Sequence, residues 1–84
     1  MITGTQFRGT LPAHATQRWF TFNWPATGHV IWEVVPETAQ PGAAQVDWDV
    51  AIERADNDHV TYWITATNLT AAPLQIAGRY AVAA

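Results

Sequence analysis

Cysteine is absent from this chain, so no disulfide braces it and no thiolate can hold a zinc ion or an iron–sulfur cluster. Lysine is absent as well. Four arginines stand against seven acidic residues, and the net charge is −3. With no basic cluster, nucleic acid and anionic membranes are poor candidates for partners. No stretch approaches the roughly 20 apolar residues that a membrane helix needs. The opening MITGTQFRGT lacks the charged start and apolar run of a signal peptide. The expectation is a soluble protein without membrane insertion, either alone or as one domain of a longer chain. There is also no glycine-rich phosphate loop, nucleophile elbow or Cys–His pair. The sequence nominates no catalytic residue, no cofactor and no metal ligand set, and it does not read as an enzyme.

Aromatic and β-branched residues are abundant. Five Trp, three Phe and two Tyr sit in 84 residues, enough for the core of one small domain spanning 1–84. The alanine-rich, lysine-free composition fits a GC-rich bacterial genome. No segment holds a 3.6-residue period, whereas six alternate with period two. They run roughly Thr3–Leu11, Thr16–Trp24, Val30–Thr38, Gln45–Arg54, Val60–Asn68 and Leu74–Val82. Turn formers separate them in LPAHA, PATGH, AQPGAA, ADNDH and LTAAP. The chain is therefore expected to be all-β, a small antiparallel β-sandwich of about six strands.

Alternation assigns an inward set: Phe7 and Leu11; Phe20, Phe22 and Trp24; Val30, Trp32 and Val34; Val46, Trp48, Val50 and Ile52; Val60, Tyr62 and Ile64; Leu74, Ile76, Tyr80 and Val82. Two facing sheets would bury such a set. The stretch TYWITATNLTAAPLQIAGRYAV resembles the last two strands of bacterial immunoglobulin-like and fibronectin-like accessory modules. There, an alternating Tyr/Val/Thr strand leads through Asn at a turn into a final strand. The resemblance implies an Ig-like sandwich of a kind that usually binds, spaces or assembles and rarely catalyses.

Two tryptophans fall on the polar side of their strands. Antiparallel partners share a face. A hairpin between the second and third strands would thus set Trp19 beside Val35 and bring Trp19, Ile31 and Val35 together as an apolar outer patch. That patch suggests a homo-oligomer interface. A hairpin between the fourth and fifth strands sets Ala51 opposite Trp63, with Glu53 opposite Thr61 and Asp49 opposite Thr65. Pairing of the fifth and sixth strands would add Arg79 across from Trp63. A flat indole ringed by Asp49, Glu53, Thr65 and Arg79 suits a sugar, whose C–H face stacks on the ring while its hydroxyls meet polar groups. The leading expectation is a lectin-like, carbohydrate-binding module. The alternative is a structural self-assembly module.

Other signals have plainer readings. Asp56, Asn57, Asp58 and His59 offer too few oxygens at unsuitable spacing for calcium, so they read as a turn. His14, His29 and His59 fall at loops and strand ends without metal-ligand spacing. Asn68 in NLT matches a glycosylation sequon, yet sits where a turn favours Asn. Asp47, Asp49 and Glu53 on an open strand face lack the enclosure that tunes a hydrolytic carboxyl pair.

Overall fold

The computed structural model describes residues 1–83. Six antiparallel strands carry the chain: β1 (Ile2–Leu11), β2 (Thr16–Pro25), β3 (His29–Pro36), β4 (Val46–Arg54), β5 (His59–Asn68) and β6 (Leu74–Ala83). No helix occurs among the described residues. The strands form two three-stranded sheets, ordered β1-β6-β3 and β2-β5-β4. They face each other across a shared core of Leu11, Trp32, Val34, Val60, Tyr62, Ile64, Ala66, Leu74 and Ile76. The body measures 42 × 23 × 17 Å, as thin as two sheets of ten-residue strands must be.

Only β4 and β5 form a hairpin between sequence neighbours; every other connection crosses from one sheet to the other. The expected β4–β5 register is observed: Ile52 pairs with Tyr62, Val50 with Ile64, Ala51 with Trp63 and Asp49 with Thr65. The other two expected pairings do not form. β2 pairs with β5, and β3 pairs with β6. PATGH is an arch between sheets: Gly28 N–H donates to Pro25 O and Ala26 N–H donates to Asp58 O.

One face of β2 is inverted relative to expectation, and a bulge is the cause. Thr21 pairs with Tyr62 while Trp24 pairs with Val60, so three steps on β2 match two on β5. Asn23 absorbs the extra residue in the left-handed region, at φ 66°, which Asn tolerates better than most side chains. Trp24 Nε1 donates to Thr21 Oγ1 across the bulge at 2.9 Å. Counting back from Trp24 by twos therefore fails. Trp19 points inward and stacks on Phe7, with centroids 4.7 Å apart. Phe20 and Phe22 point outward and are 56% and 64% exposed.

Aromatic rings also fill the space that glycine leaves. A β-carbon on Gly78 would collide with the Phe7 ring, and one on Gly9 would approach the Trp19 ring to 2.9 Å. The stacked Phe7–Trp19 pair thus needs both glycines beneath it. Deeper in the core, Trp24 meets Trp32 edge-on at 5.4 Å and Tyr80 at 5.2 Å. Trp32 Nε1 is buried with no hydrogen-bond partner among the described residues.

β4 departs from expectation in exposure rather than parity. Val46 and Val50 pack against the core, but Trp48 and Ile52 are 36% and 65% exposed. β4 is an edge strand, and the opposing sheet meets it through β3 without covering Trp48 and Ile52. At the other end, Asn68 is fully buried. Its Nδ2 donates to the carbonyls of Leu11, Pro12 and Ala72, and its Oδ1 accepts from the Thr70 N–H and hydroxyl. Asn68 acts as a structural knot between two loops, and its amide is closed to glycosylation in the folded chain.

Candidate functional site

The outer face of the β2-β5-β4 sheet is a grid fixed by register. Across it run the rows Thr16–Thr67–Asp47, Arg18–Thr65–Asp49 and Phe20–Trp63–Ala51, followed by Thr61–Glu53 beside the bulge. The pairings of Trp63 with Ala51, Thr65 with Asp49 and Thr61 with Glu53 match those read from the sequence. On the other side of Trp63 the sequence placed Arg79, whereas the structure places Phe20 of β2 there.

Three rings line up on this face. Phe20 lies 5.0 Å from Trp63 and 6.1 Å from Phe22, centroid to centroid, with both pairs tilted by 31°. Polar groups flank them. The Arg18 guanidinium sits over the Trp63 ring at 4.7 Å, a cation–π contact of about 0.5–1 kcal/mol at an exposed site. Trp63 Nε1 donates to Glu53 Oε1 at 3.3 Å. Beside the rings, Asp47, Asp49, Thr65 and Thr67 line a shallow notch of about 80 Å³. Chemically the face offers an apolar strip, one cation, three carboxylates and hydroxyls at hydrogen-bonding height.

Several residues nominated from the sequence lie elsewhere. β5 and β6 belong to different sheets, so Arg79 is not opposite Trp63. It pairs in register with Glu33 and Thr5 on the outer face of β1-β6-β3. There Thr3, Thr5, Ile31, Glu33, Arg79 and Ala81 line an open trough of about 420 Å³, on the opposite sheet from the aromatic strip. The patch of Trp19, Ile31 and Val35 also does not assemble. Trp19 is inside, whereas Ile31 and Val35 share the outer side of β3, in register with Ala81 and Ala77.

Sequence reasoning missed Arg18, Phe20 and Phe22. The signal that could have found them is in FNWP: Asn23 between aromatic residues marks a left-handed position, hence a bulge and a change of face.

The β4–β5 hairpin loop is closed on itself. Arg54 donates to the carbonyls of Asp56 and Asn57, and Asp56 Oδ1 accepts from the Asp58 amide at 2.7 Å. His59 Nδ1 lies 3.0 Å from the same oxygen. The Asp58 amide, together with His59, holds the Asp56 carboxyl below its ordinary value. No cluster of three or more potential metal-ligating side chains occurs among the described residues. Comparison with protein-family models, with curated proteins and with solved structures finds no match to this chain.

Proposed function

We propose that this chain is a non-catalytic binding module, and that the aromatic face of β2-β5-β4 takes a carbohydrate. One observation carries the reading: Phe20, Phe22 and Trp63 form a contiguous row on an open sheet face, bordered by Arg18, Glu53, Asp49 and Thr65. Exposing two phenylalanines costs solvation free energy with no return inside the fold. A sugar ring lowers that cost, because its C–H face packs on the rings while its hydroxyls reach carboxylate, guanidinium and threonine. Arg18 now covers one side of Trp63, so a ligand stacking there displaces it. A ligand on Phe20 and Phe22 meets no such cap.

The site binds without reacting. Asp47, Asp49 and Glu53 are exposed on an open sheet face, with no cleft beside them, among the described residues, to exclude water from a reaction. So little area is buried that single-site affinity falls in the range of about millimolar to tens of micromolar. Discrimination among sugars rests on hydrogen bonds that the wrong epimer leaves unmade.

The test is a glycan array, followed by tryptophan fluorescence titration of any hit against Trp63→Ala and Phe20→Ala. Loss of binding in both variants is the expected result. An empty array, or a hit whose affinity survives both substitutions, overturns the proposal.

A further inference from the structure

Each sheet has two edges, and an unguarded edge is a template for another strand. Three of the four are guarded. β1 is broken by a bulge between Thr5 and Phe7. β2 is broken by the bulge at Asn23. β4 carries Asp47, Asp49 and Glu53 on its outer side. Antiparallel self-pairing of β4 centred on Asp49, Val50 or Ala51 covers most of the strand, and each of these registers opposes two carboxylates, as Asp49–Asp49, Asp47–Glu53 or Asp49–Glu53. Like charges directly opposite each other are destabilising.

β3 has none of these guards. Its ladder with β6 runs unbroken from His29 to Pro36, its other side is unpaired among the described residues, and its sequence is HVIWEVVP. Ile31 on its outer side is 64% exposed. β3 borders β4 across the gap between the sheets, with Trp32 reaching in to 5.6 Å from Tyr62, and Trp48 and Ile52 of β4 are left exposed beside it. An extra strand alongside β3 would extend the β1-β6-β3 sheet over these two side chains.

We propose that the occupant is a second copy of this chain, with two β3 strands pairing antiparallel about a two-fold axis at Trp32. Self-pairing covers the open edges of both copies at once, and charge limits the register. Centring on Trp32 sets Ile31 of each copy opposite Glu33 of the other, and Val30 opposite Val34. It is the longest register of β3 on itself that opposes no carboxylates, since a shift to Glu33 places the two glutamates face to face. The joined sheet has six strands, and its edges are the two bulged β1 strands, so growth stops at the dimer. Ile31 and Glu33 lie on the other sheet from the aromatic row, so this interface stands or falls independently of carbohydrate binding. If both hold, the dimer presents two aromatic faces and gains avidity.

Sedimentation equilibrium from micromolar to millimolar loading tests the proposal, on the intact chain and on two variants of the exposed Ile31. The wild type is expected to approach twice the 9.3 kDa chain mass. Ile31→Glu opposes two carboxylate pairs and is expected to sediment as a monomer that still melts cooperatively, with a Tm independent of concentration. Ile31→Lys faces Glu33 with the opposite charge and is expected to remain dimeric. A strictly monomeric wild type, or Ile31→Glu sedimenting like the wild type, overturns the proposal. A monomeric Ile31→Lys overturns the register centred on Trp32.

Discussion

Replacing Trp19 and Phe20 separately by alanine tests the inverted face of β2. Both are large aromatics in adjacent positions, and simple alternation from Trp24 ranks Phe20 as core and Trp19 as surface. The structure ranks them the other way. Trp19 stacks on Phe7 at 4.7 Å and closes over Gly9. A fully buried aromatic truncated to alanine costs about 3–5 kcal/mol, and Trp19, being partly buried, should lose about 2–4. Phe20 is 56% exposed. Taking about 200 Å² for a phenylalanine, the remainder is roughly 90 Å² of buried surface, or at most about 2 kcal/mol at 25 cal/mol per Å². The unfolded chain's own compactness and the retained β-carbon reduce that to about 1 kcal/mol. For a domain this size, 1 kcal/mol moves Tm by roughly 4–8 °C. Thermal melts followed by near-ultraviolet circular dichroism should therefore separate the variants by about 10 °C, with Trp19→Ala the lower. Equal melts, or a lower Tm for Phe20→Ala, would refute the bulge and with it the exposed aromatic row.

Three further outcomes follow from other parts of the fold. Asn68→Ala strands the carbonyls of Leu11, Pro12 and Ala72 and the Thr70 amide, and urea denaturation should show a loss of about 2–4 kcal/mol; a loss under 1 would show that water replaces the side chain. Gly78→Val drives a side chain into the Phe7 ring, with an expected loss of about 1–3 kcal/mol from overpacking and a weakened near-ultraviolet signal; an unchanged melt would mean the ring does not rest on that glycine. Burial pushes the Tyr62 phenol above its ordinary 10.0, so its contribution is complete below that value and is lost as pH rises through the higher folded value. Alkaline titration should show stability falling above about pH 10, less steeply in Tyr62→Phe; identical profiles would remove Tyr62 as the cause.

The elements themselves were legible. Period-two alternation and turn residues placed all six strands to within about two residues, because edge and centre strands share that period. The β4–β5 register was legible because a tight loop leaves one pairing that matches face to face. Arches were not, since PATGH carries the same turn residues whether it closes a hairpin or crosses between sheets. That ambiguity carried Arg79 to the wrong face in the sequence reading and placed Trp19 beside Val35. Bulges defeat parity in a second way: one extra residue at Asn23 exchanged Trp19 with Phe20. Trp48 shows a third limit. Its parity was right, but parity does not reveal whether the facing sheet extends far enough to cover it.

The central claim is that the aromatic face of β2-β5-β4 is the binding surface, and amide chemical-shift mapping tests it most directly. Isotope-labelled protein would be titrated with a soluble oligosaccharide taken from a glycan-array hit. Shifts concentrated at Arg18–Phe22, Thr61–Thr65 and Asp49–Glu53, saturating with one dissociation constant, are the predicted result. Shifts confined to Thr3–Thr5, Ile31–Glu33 and Arg79–Ala81 would place the ligand in the trough on the opposite sheet and contradict the account.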